Sequence, residues 1–167
     1  MTAAGLDPAQ VRDLIVRPTL TLLHLPSPRF SEHLLMGTGA QESQFRYLKQ
    51  IGGGPALGLW QMEPFTFQDL WSRIVLKTPL GREVQEFLVP GVPPVSQLVW
   101  NLHFACAMCR IHYWARPFSM PELEEGEVPD TRLLGTIWKV HYNTRKGKGT
   151  IDEFVRNYNQ FVKPIYR

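Results

Sequence analysis

Apolar residues recur at helical spacing along most of the chain, and clusters of proline and glycine separate the segments in which they do so. The clearest case is 96–114, whose apolar positions three or four residues apart are Leu98, Leu102, Ala105, Cys109 and Tyr113. This spacing places the apolar side chains on one face of a helix. The pattern therefore predicts a single helix over 96–114.

Two helices near the N-terminus are indicated by residues suited to cap them. Asp7 is a candidate N-cap, and Pro8 after it suits the first helical position of a helix that runs towards residue 25. Pro18 lies inside this stretch and is expected to kink or split the helix. Ser31 is a second candidate N-cap, for a helix that runs to about residue 46.

The remaining segments complete a mainly helical chain. A glycine-rich loop at 51–55 precedes an apolar stretch at 57–62 that is predicted to be a strand or extended. Further helices are predicted over 66–76, 133–142 and 151–161, and 79–94 is predicted to be loop-rich. The fold class is therefore mainly α, with about seven helices and a small irregular or β element in the first half.

Length and composition indicate one globular domain over 1–167. The chain has 167 residues, of which 44% are hydrophobic and 20% charged, so it can bury a substantial core. Its apolar stretches are far shorter than a membrane span, and no membrane insertion is expected. The first residues lack the basic region of a signal peptide, so a target outside the cytoplasm would require delivery by another route.

The charge is mildly positive and unevenly distributed. A formal net charge of +3 slightly favours an anionic polymer as partner. The segment 116–130 contains three prolines and the acidic cluster Glu122, Glu124, Glu125, Glu127 and Asp130, so it is predicted to be an exposed excursion. A basic run consists of Arg145, Lys146 and Lys148. Three charges are too few to predict a nucleic-acid partner.

The two cysteines lie in a His-x-x-Cys-x-x-Cys-x-x-His arrangement that suggests a metal site. On a helix, however, each three-residue step falls about 60° short of a full turn. His103 and His112 would therefore lie on roughly opposite faces, and one helix cannot direct all four ligands to one ion. Cys106 and Cys109 are predicted to be buried free thiols, and no metal or cofactor is expected.

Glu42 is the residue whose context best suits acid catalysis. It follows a glycine-rich apolar stretch at a predicted helix end, and Phe45 and Tyr47 come shortly after it. No other acid occurs between Glu42 and Glu63. An apolar environment disfavours the charged form of a carboxyl group and keeps it protonated near neutral pH. The same context also fits a solvated glutamate at a helix end.

Four short motifs in order resemble those of a known enzyme family. The motifs are Glu42-Ser43-Gln44-Phe45, then Gly58-Leu59-Trp60-Gln61 with Pro64 and Thr66, then Asn101-Leu102 with Ala105, and finally Tyr142-Asn143 with Gly147 and Gly149. Together they resemble the soluble lytic transglycosylase (SLT-type) and goose-type lysozyme domains. The resemblance covers about residues 34–160 and implies an α+β lysozyme-like fold with the β element beside a catalytic cleft.

The resemblance also implies roles for individual residues. Glu42 takes the place of the catalytic acid, and Gln61 that of a glutamine lining the cleft. Tyr142 takes the place of a tyrosine beside the catalytic glutamate, and Asn143 would support that turn. Glu63 stands where goose-type lysozymes carry an aspartate, and it is the candidate second carboxylate.

Two further motif residues allow two interpretations each. Ser43 would orient the end of the helix near substrate, or would be a simple capping hydroxyl. Trp60 stands where the family usually has methionine, and would be either a stacking surface for a sugar or part of the core.

The function implied by the resemblance is cleavage of bacterial peptidoglycan between N-acetylmuramic acid and N-acetylglucosamine. In a lytic transglycosylase Glu42 acts as acid and then base, and the product carries a 1,6-anhydro end. One alternative is a hydrolase (a lysozyme) that uses Glu63 as second carboxylate. An alternative of another class is an inactive wall-binding or virion structural protein. A phage or prophage origin is expected, with other phage lysis or virion proteins as possible partners and delivery by a lysis pore, a virion or a secretion system.

Overall fold

A computed structural model describes residues 5–143 and 147–167. Within these ranges the chain forms eight helices and no strand, so the predicted mainly-α fold class is confirmed. Buried side chains from all eight helices belong to one hydrophobic core. None of the described helices is both long enough and apolar enough to cross a membrane.

The eight helices are numbered here in chain order. Helix α1 (8–23) is α-helical at Pro8–Gln10 and Arg17–Leu23 and π-helical at Val11–Val16; α2 is Pro28–Ser43. Helix α3 (64–75) joins Pro64–Leu70 to a π-helical segment, Trp71–Val75. Then come α4 (Pro79–Gln85), α5 (Pro94–Trp100) and α6 (Leu102–Trp114). Helix α7 (131–143) joins Thr131–Trp138 to the π-helical Lys139–Asn143, and α8 (151–166) consists of Ile151–Asn157, the π-helical Tyr158–Val162 and the 3-10 turn Lys163–Tyr166.

The N-terminal predictions are partly confirmed. Asp7 caps α1, because its Oδ1 accepts a hydrogen bond from the Gln10 amide at 3.0 Å. Pro18 does not end the helix; the chain is π-helical just before it, and α-helical geometry resumes at Arg17. Ser31 is not an N-cap, since it lies buried inside α2, which begins three residues earlier at Pro28. The N-cap residue is instead Ser27, whose side chain makes no capping hydrogen bond, and the proline after it needs no hydrogen-bond acceptor for its nitrogen.

The single helix predicted over 96–114 is in fact two helices that meet at Asn101. The Asn101 backbone leaves helical geometry (φ −89°, ψ 89°), and its Oδ1 accepts from the Phe104 amide at 3.1 Å. Its Nδ2 donates to the Phe87 carbonyl at 2.8 Å. The Asn101 side chain thus forms hydrogen bonds with two backbone groups, which offers the chain an alternative to a continuous helix.

Two segments were predicted to be loop-rich or exposed, and each has a feature that the sequence pattern did not indicate. The range 79–94 contains α4, whose first turn is capped by Thr78 through a bond from the Gly81 amide to its Oγ1 at 3.0 Å. The segment 116–130 is non-helical and mostly exposed, as predicted. It is nevertheless fixed to α2, because Ser27 donates to Glu122 through both its amide (3.0 Å) and its hydroxyl (2.7 Å).

Helix α2 is the element around which the others pack. It contacts α1, α6, α7 and α8, and the segment from Phe30 to Ala40 is buried throughout. A helix buried on every side shows no one-sided apolar stripe, so its sequence lacks the usual amphipathic pattern. Close approach is possible because Gly37 lacks a side chain: a Cβ there would lie 2.5 Å from Phe154 Cζ.

The predicted irregular or β element lies between α2 and α3. Two isolated antiparallel bridges, Lys49 with Leu57 and Leu57 with Met62, hold it together. Gly58 forms its turn with φ 79°, and its amide donates to the Leu48 carbonyl at 2.8 Å. The turn leads directly into Gln61 and thereby determines where that side chain points.

Gly58→Ala is expected to destabilise the protein far more than Gly52→Ala. Both glycines have a left-handed backbone, with φ 79° at Gly58 and 83° at Gly52. A Cβ at Gly58 would lie 2.1 Å from the Leu98 carbonyl oxygen, whereas one at Gly52 meets nothing within 4 Å. The left-handed backbone alone costs about 1–2 kcal/mol, and the clash at Gly58 should bring the loss to about 3 kcal/mol or more. Urea denaturation measures both. Equal losses in the two variants would show that Gly58 does not contact α5 closely.

Candidate functional site

Glu42 lies one residue before the end of α2. The helix ends there because Gln44 and Phe45 both adopt left-handed backbone geometry, with φ 52° and 56°. Such geometry is uncommon for residues other than glycine, and a bulky side chain in it is maintained by the surrounding packing. Phe45 is 1% exposed, so its burial supplies that packing. The turn leaves the Glu42 side chain beside α7.

The Glu42 carboxyl group is held by one strong hydrogen-bond donor. Trp138 Nε1, on α7, donates to Glu42 Oε1 at 2.8 Å, and the Trp138 side chain is fully buried. Burial raises the pKa of Glu42 to about 7, and the indole hydrogen bond opposes this shift. Desolvation outweighs the hydrogen bond, so burial favours the protonated form of the carboxyl group up to near neutral pH.

Glu42 opens into a small pocket with mostly hydrogen-bonding walls. The pocket has a volume of about 190 Å³, and its lining residues are Glu42, Gln61, Met62, Glu63, Thr66, His112, Tyr142 and Asn143. This volume is below the range of about 300–1,000 Å³ that is typical of pockets enclosing a whole small ligand. It suits one part of a larger ligand. Five of the seven site residues predicted from the sequence meet here.

Gln61 enters the pocket from the turn between α2 and α3. Its backbone is left-handed (φ 47°), and its Nε2 donates to the Gly58 carbonyl at 2.8 Å. A strained backbone held by a side-chain hydrogen bond fixes the amide group relative to Glu42, and such strain is common at functional sites.

Tyr142 and Asn143 are brought to the pocket by the π-helical end of α7. The Tyr142 hydroxyl donates to the Trp60 carbonyl at 2.6 Å and so ties α7 to the Gly58 turn. Burial holds the pKa of Tyr142 well above its usual range, which keeps the hydroxyl neutral. Asn143 Oδ1 accepts from Lys139 Nζ at 2.8 Å, and Lys139 also donates to the carbonyls of Gly147 and Gly149.

Two predicted substrate-binding residues lie away from the pocket. Ser43 is 1% exposed and donates to the Gly39 carbonyl one turn earlier, which matches the alternative of a helix-end hydroxyl. Trp60 is 1% exposed and donates to the Leu35 carbonyl at 2.9 Å. A buried indole offers no face to a sugar, so the stacking interpretation is wrong and the core interpretation is correct.

Two residues at the site were not predicted from the sequence: Trp138, which is buried behind the pocket and bonds to Glu42, and His112, which lines the pocket. Trp138 has no place in the motifs, although its position four residues before Tyr142 on one helix indicates a shared face. His112 was considered only as a metal ligand. Its Nε2 accepts from Arg116 Nη2 at 2.9 Å, while burial, and then Arg116, lower its pKa to about 3. The ring is therefore neutral with its proton on Nδ1, a buried donor that has no partner in the described ranges.

The suspected metal-binding residues have separate surroundings. His103 hydrogen-bonds to Thr19 at 3.1 Å and stacks on Phe87, whereas His112 lines the pocket. Cys106 and Cys109 are fully buried free thiols, as predicted. Over 5–143 and 147–167 no group of three or more His, Cys, Asp or Glu side chains is arranged to hold a metal ion. In the basic run, Arg145 and Lys146 lie outside the described residues.

Glu42→Gln is expected to stabilise the protein increasingly as the pH rises from about 4.5 to 7. In this range the unfolded chain loses the Glu42 proton while the folded protein keeps it, so folding becomes less favourable with rising pH. Glutamine still accepts the Trp138 hydrogen bond but has no charge to bury. The gain in unfolding free energy should be near zero at pH 4 and reach about 1–3 kcal/mol at pH 8, measured by urea denaturation.

Asp69→Asn is the matched control, because its effect has the opposite sign and a different pH range. The hydrogen bond from Arg73 lowers the pKa of Asp69, so its contribution to stability is lost only below the usual pKa of the group. The difference between Asp69→Asn and the wild type should be constant from pH 5 to 8. A constant difference for Glu42→Gln over the same range would mean that Glu42 ionises in the folded protein as it does in water.

No protein-family model, no curated protein and no solved structure matches this chain.

Proposed function

We propose that this protein cleaves the glycan strands of bacterial peptidoglycan, with Glu42 as the catalytic acid. The observation that carries this proposal is a carboxyl group that is bonded to the buried Trp138 indole at 2.8 Å and lines a pocket of hydrogen-bonding side chains, where burial raises its pKa to about 7. A glycosidase needs a carboxylic acid that is still protonated at working pH. The motif resemblance to lytic transglycosylases and goose-type lysozymes names the substrate.

In the proposed reaction Glu42 gives its proton to the glycosidic oxygen between N-acetylmuramic acid and N-acetylglucosamine. The bond from that oxygen to C1 of the muramic sugar breaks through an oxocarbenium-like transition state. The Glu42 carboxylate then takes the proton of the muramic 6-hydroxyl group while the oxygen of that hydroxyl group forms a bond to C1. The product is a 1,6-anhydro end, no water is consumed, and Glu42 regains its proton.

The neighbours of Glu42 support both halves of this cycle. The Trp138 indole stabilises the carboxylate that forms when the proton leaves, because its hydrogen bond is stronger to the charged form. Gln61, Thr66 and Asn143 line the same pocket and supply hydrogen-bonding groups for sugar hydroxyl and acetamido groups. No metal or cofactor takes part in this mechanism.

An exposed aromatic ring beside the pocket replaces Trp60 as the candidate sugar-stacking surface. Phe65 is 84% exposed and lies between Glu63 and Thr66, both of which line the pocket. An aromatic face is a common stacking partner for apolar ring surfaces. A glycan strand whose reacting sugar occupies the pocket would place a neighbouring sugar near this ring.

Hydrolysis is the second candidate, and one observation favours it. Glu63 lines the same pocket as Glu42, so a second carboxylate is present. Inverting hydrolysis uses such a group as the base that activates water. Transglycosylation remains the primary proposal because the Glu63 side chain is exposed and makes no side-chain hydrogen bond as N-cap of α3.

Glu42→Gln is expected to abolish clearing of purified peptidoglycan, in a zymogram or by turbidity. The variant keeps the shape and the Trp138 hydrogen bond but has no transferable proton, and general acid catalysis contributes about 10²–10⁴-fold. Glu125→Gln is the matched control, since that side chain is 93% exposed in the 116–130 segment and should leave activity unchanged.

Clearing by Glu42→Gln within a few-fold of the wild type would refute Glu42 as the acid. A folded wild-type protein that is retained on peptidoglycan without cutting it would instead support the inactive wall-binding or virion structural alternative.

The products are expected to carry 1,6-anhydromuramic ends, which are one water lighter than reducing ends in mass spectrometry of the muropeptides. Glu63→Gln should retain most of the activity, because no water needs activation. Reducing ends alone, together with a Glu63→Gln variant as inactive as Glu42→Gln, would show that the enzyme is a two-carboxylate hydrolase.

A further inference from the structure

Arg110 is a buried cation that lies outside the catalytic pocket. It is on α6 and only 3% exposed. In the part of the chain that the structure describes, its single side-chain hydrogen bond runs from Nη2 to the Pro26 carbonyl at 3.3 Å, and its Nε is buried with no partner. Arg110 takes part in none of the ion pairs formed within 5–143 and 147–167.

An arginine in this position needs an anion. Burial lowers the pKa of Arg110 to about 10, which still leaves the guanidinium charged at neutral pH. Charged groups are almost never fully buried unless they are paired, because desolvation is costly. The planar donors of a guanidinium match the two oxygens of a carboxylate or phosphate.

A cavity of about 380 Å³ adjoins Arg110 and lies within the size range of small-ligand pockets. Three aromatic residues, Tyr113, Trp114 and Phe118, form part of its walls. Glu122 also lines it, exposed to solvent and held by two hydrogen bonds from Ser27. The cavity therefore combines one buried positive charge, aromatic side chains in its walls, and one negative charge that is exposed to solvent.

We propose that this cavity binds an α-amino acid group, with its carboxylate on the Arg110 guanidinium and its ammonium group towards Glu122. The charge of Glu122 disfavours a phosphate dianion, and the aromatic walls suit an organic body better than an inorganic ion. Such a group has two sources, a free amino acid or a wall peptide that contains a diamino acid whose side chain ends in a free α-amino acid group. The site is separate from the catalytic pocket but adjacent to it, because Tyr113 stacks on Tyr142 at 5.3 Å.

Thermal shift and calorimetry test the site without any assay of activity. D-alanine at millimolar concentrations should raise the melting temperature of the wild type, because a ligand that binds only the folded state stabilises it. Acetate, which lacks the ammonium group, should bind about two- to five-fold more weakly, as expected for one exposed ion pair. Inorganic phosphate should give no shift. A wall tetrapeptide that contains such a diamino acid and binds tighter than D-alanine identifies the wall as the source, and one that binds no tighter identifies a free amino acid.

Arg110→Met is the decisive variant. It should weaken D-alanine binding by about 30-fold or more. Without ligand its melting temperature should equal or exceed that of the wild type, because an uncompensated buried charge is replaced by an apolar side chain of similar length. Arg73→Met, which removes an exposed arginine paired with Asp69, is the control and should leave binding unchanged. If Arg110→Met does not fold, Arg110→Lys serves, since it keeps the charge but loses the two-pronged contact.

Glu122→Gln tests recognition of the ammonium group separately from recognition of the carboxylate. Glutamine still accepts the Ser27 hydrogen bonds but carries no charge to repel an anion, so acetate should bind at least as tightly as to the wild type while the preference for D-alanine over acetate is lost. Three results would overturn the proposal: no shift with D-alanine in the wild type, phosphate binding as tight as D-alanine, or full D-alanine binding by folded Arg110→Met or Arg110→Lys.

Discussion

Burial of the Glu42 carboxyl group beside the Trp138 indole is the interaction on which the pocket depends. Desolvation alone would raise the pKa of the group and leave both its oxygens without a partner, while full hydration would return it to an ordinary acid. One buried donor at 2.8 Å satisfies an oxygen without removing the effect of burial. The carboxyl group therefore keeps a proton near neutral pH and can also bear the charge after losing it.

The rest of the fold brings these two groups together from distant parts of the chain. Helix α2 carries Glu42 through the core and ends abruptly at left-handed residues, and α7 carries Trp138 and Tyr142 on one face. The Tyr142 hydroxyl then bonds to the Trp60 carbonyl, which fixes the turn that presents Gln61. A disturbance of the Gly58 turn should consequently reach the pocket through this contact.

Much of the fold and part of the site could be predicted from the sequence. Helical periodicity located most helices, and ordered motifs pointed to Glu42, Gln61, Tyr142 and Asn143. The errors arose where a distant partner decides the outcome. Asn101 breaks a helix because its side-chain amide donates a hydrogen bond to the Phe87 carbonyl. Trp60 is buried in a position where its indole donates a hydrogen bond to the Leu35 carbonyl. No local pattern encodes such partners, and for the same reason the indole donor to Glu42 was not predicted.

The ionisation of Glu42 in the folded protein is the property that most directly separates a catalytic acid from a surface glutamate. A pH titration of the Glu42 carboxyl carbon by nuclear magnetic resonance, assigned by its loss in Glu42→Gln, measures it without any substrate. The structure predicts a midpoint near pH 7, because burial raises the pKa of Glu42 to about 7. A midpoint near the ordinary glutamate value of about 4.3 would contradict the assignment of Glu42 as the proton donor.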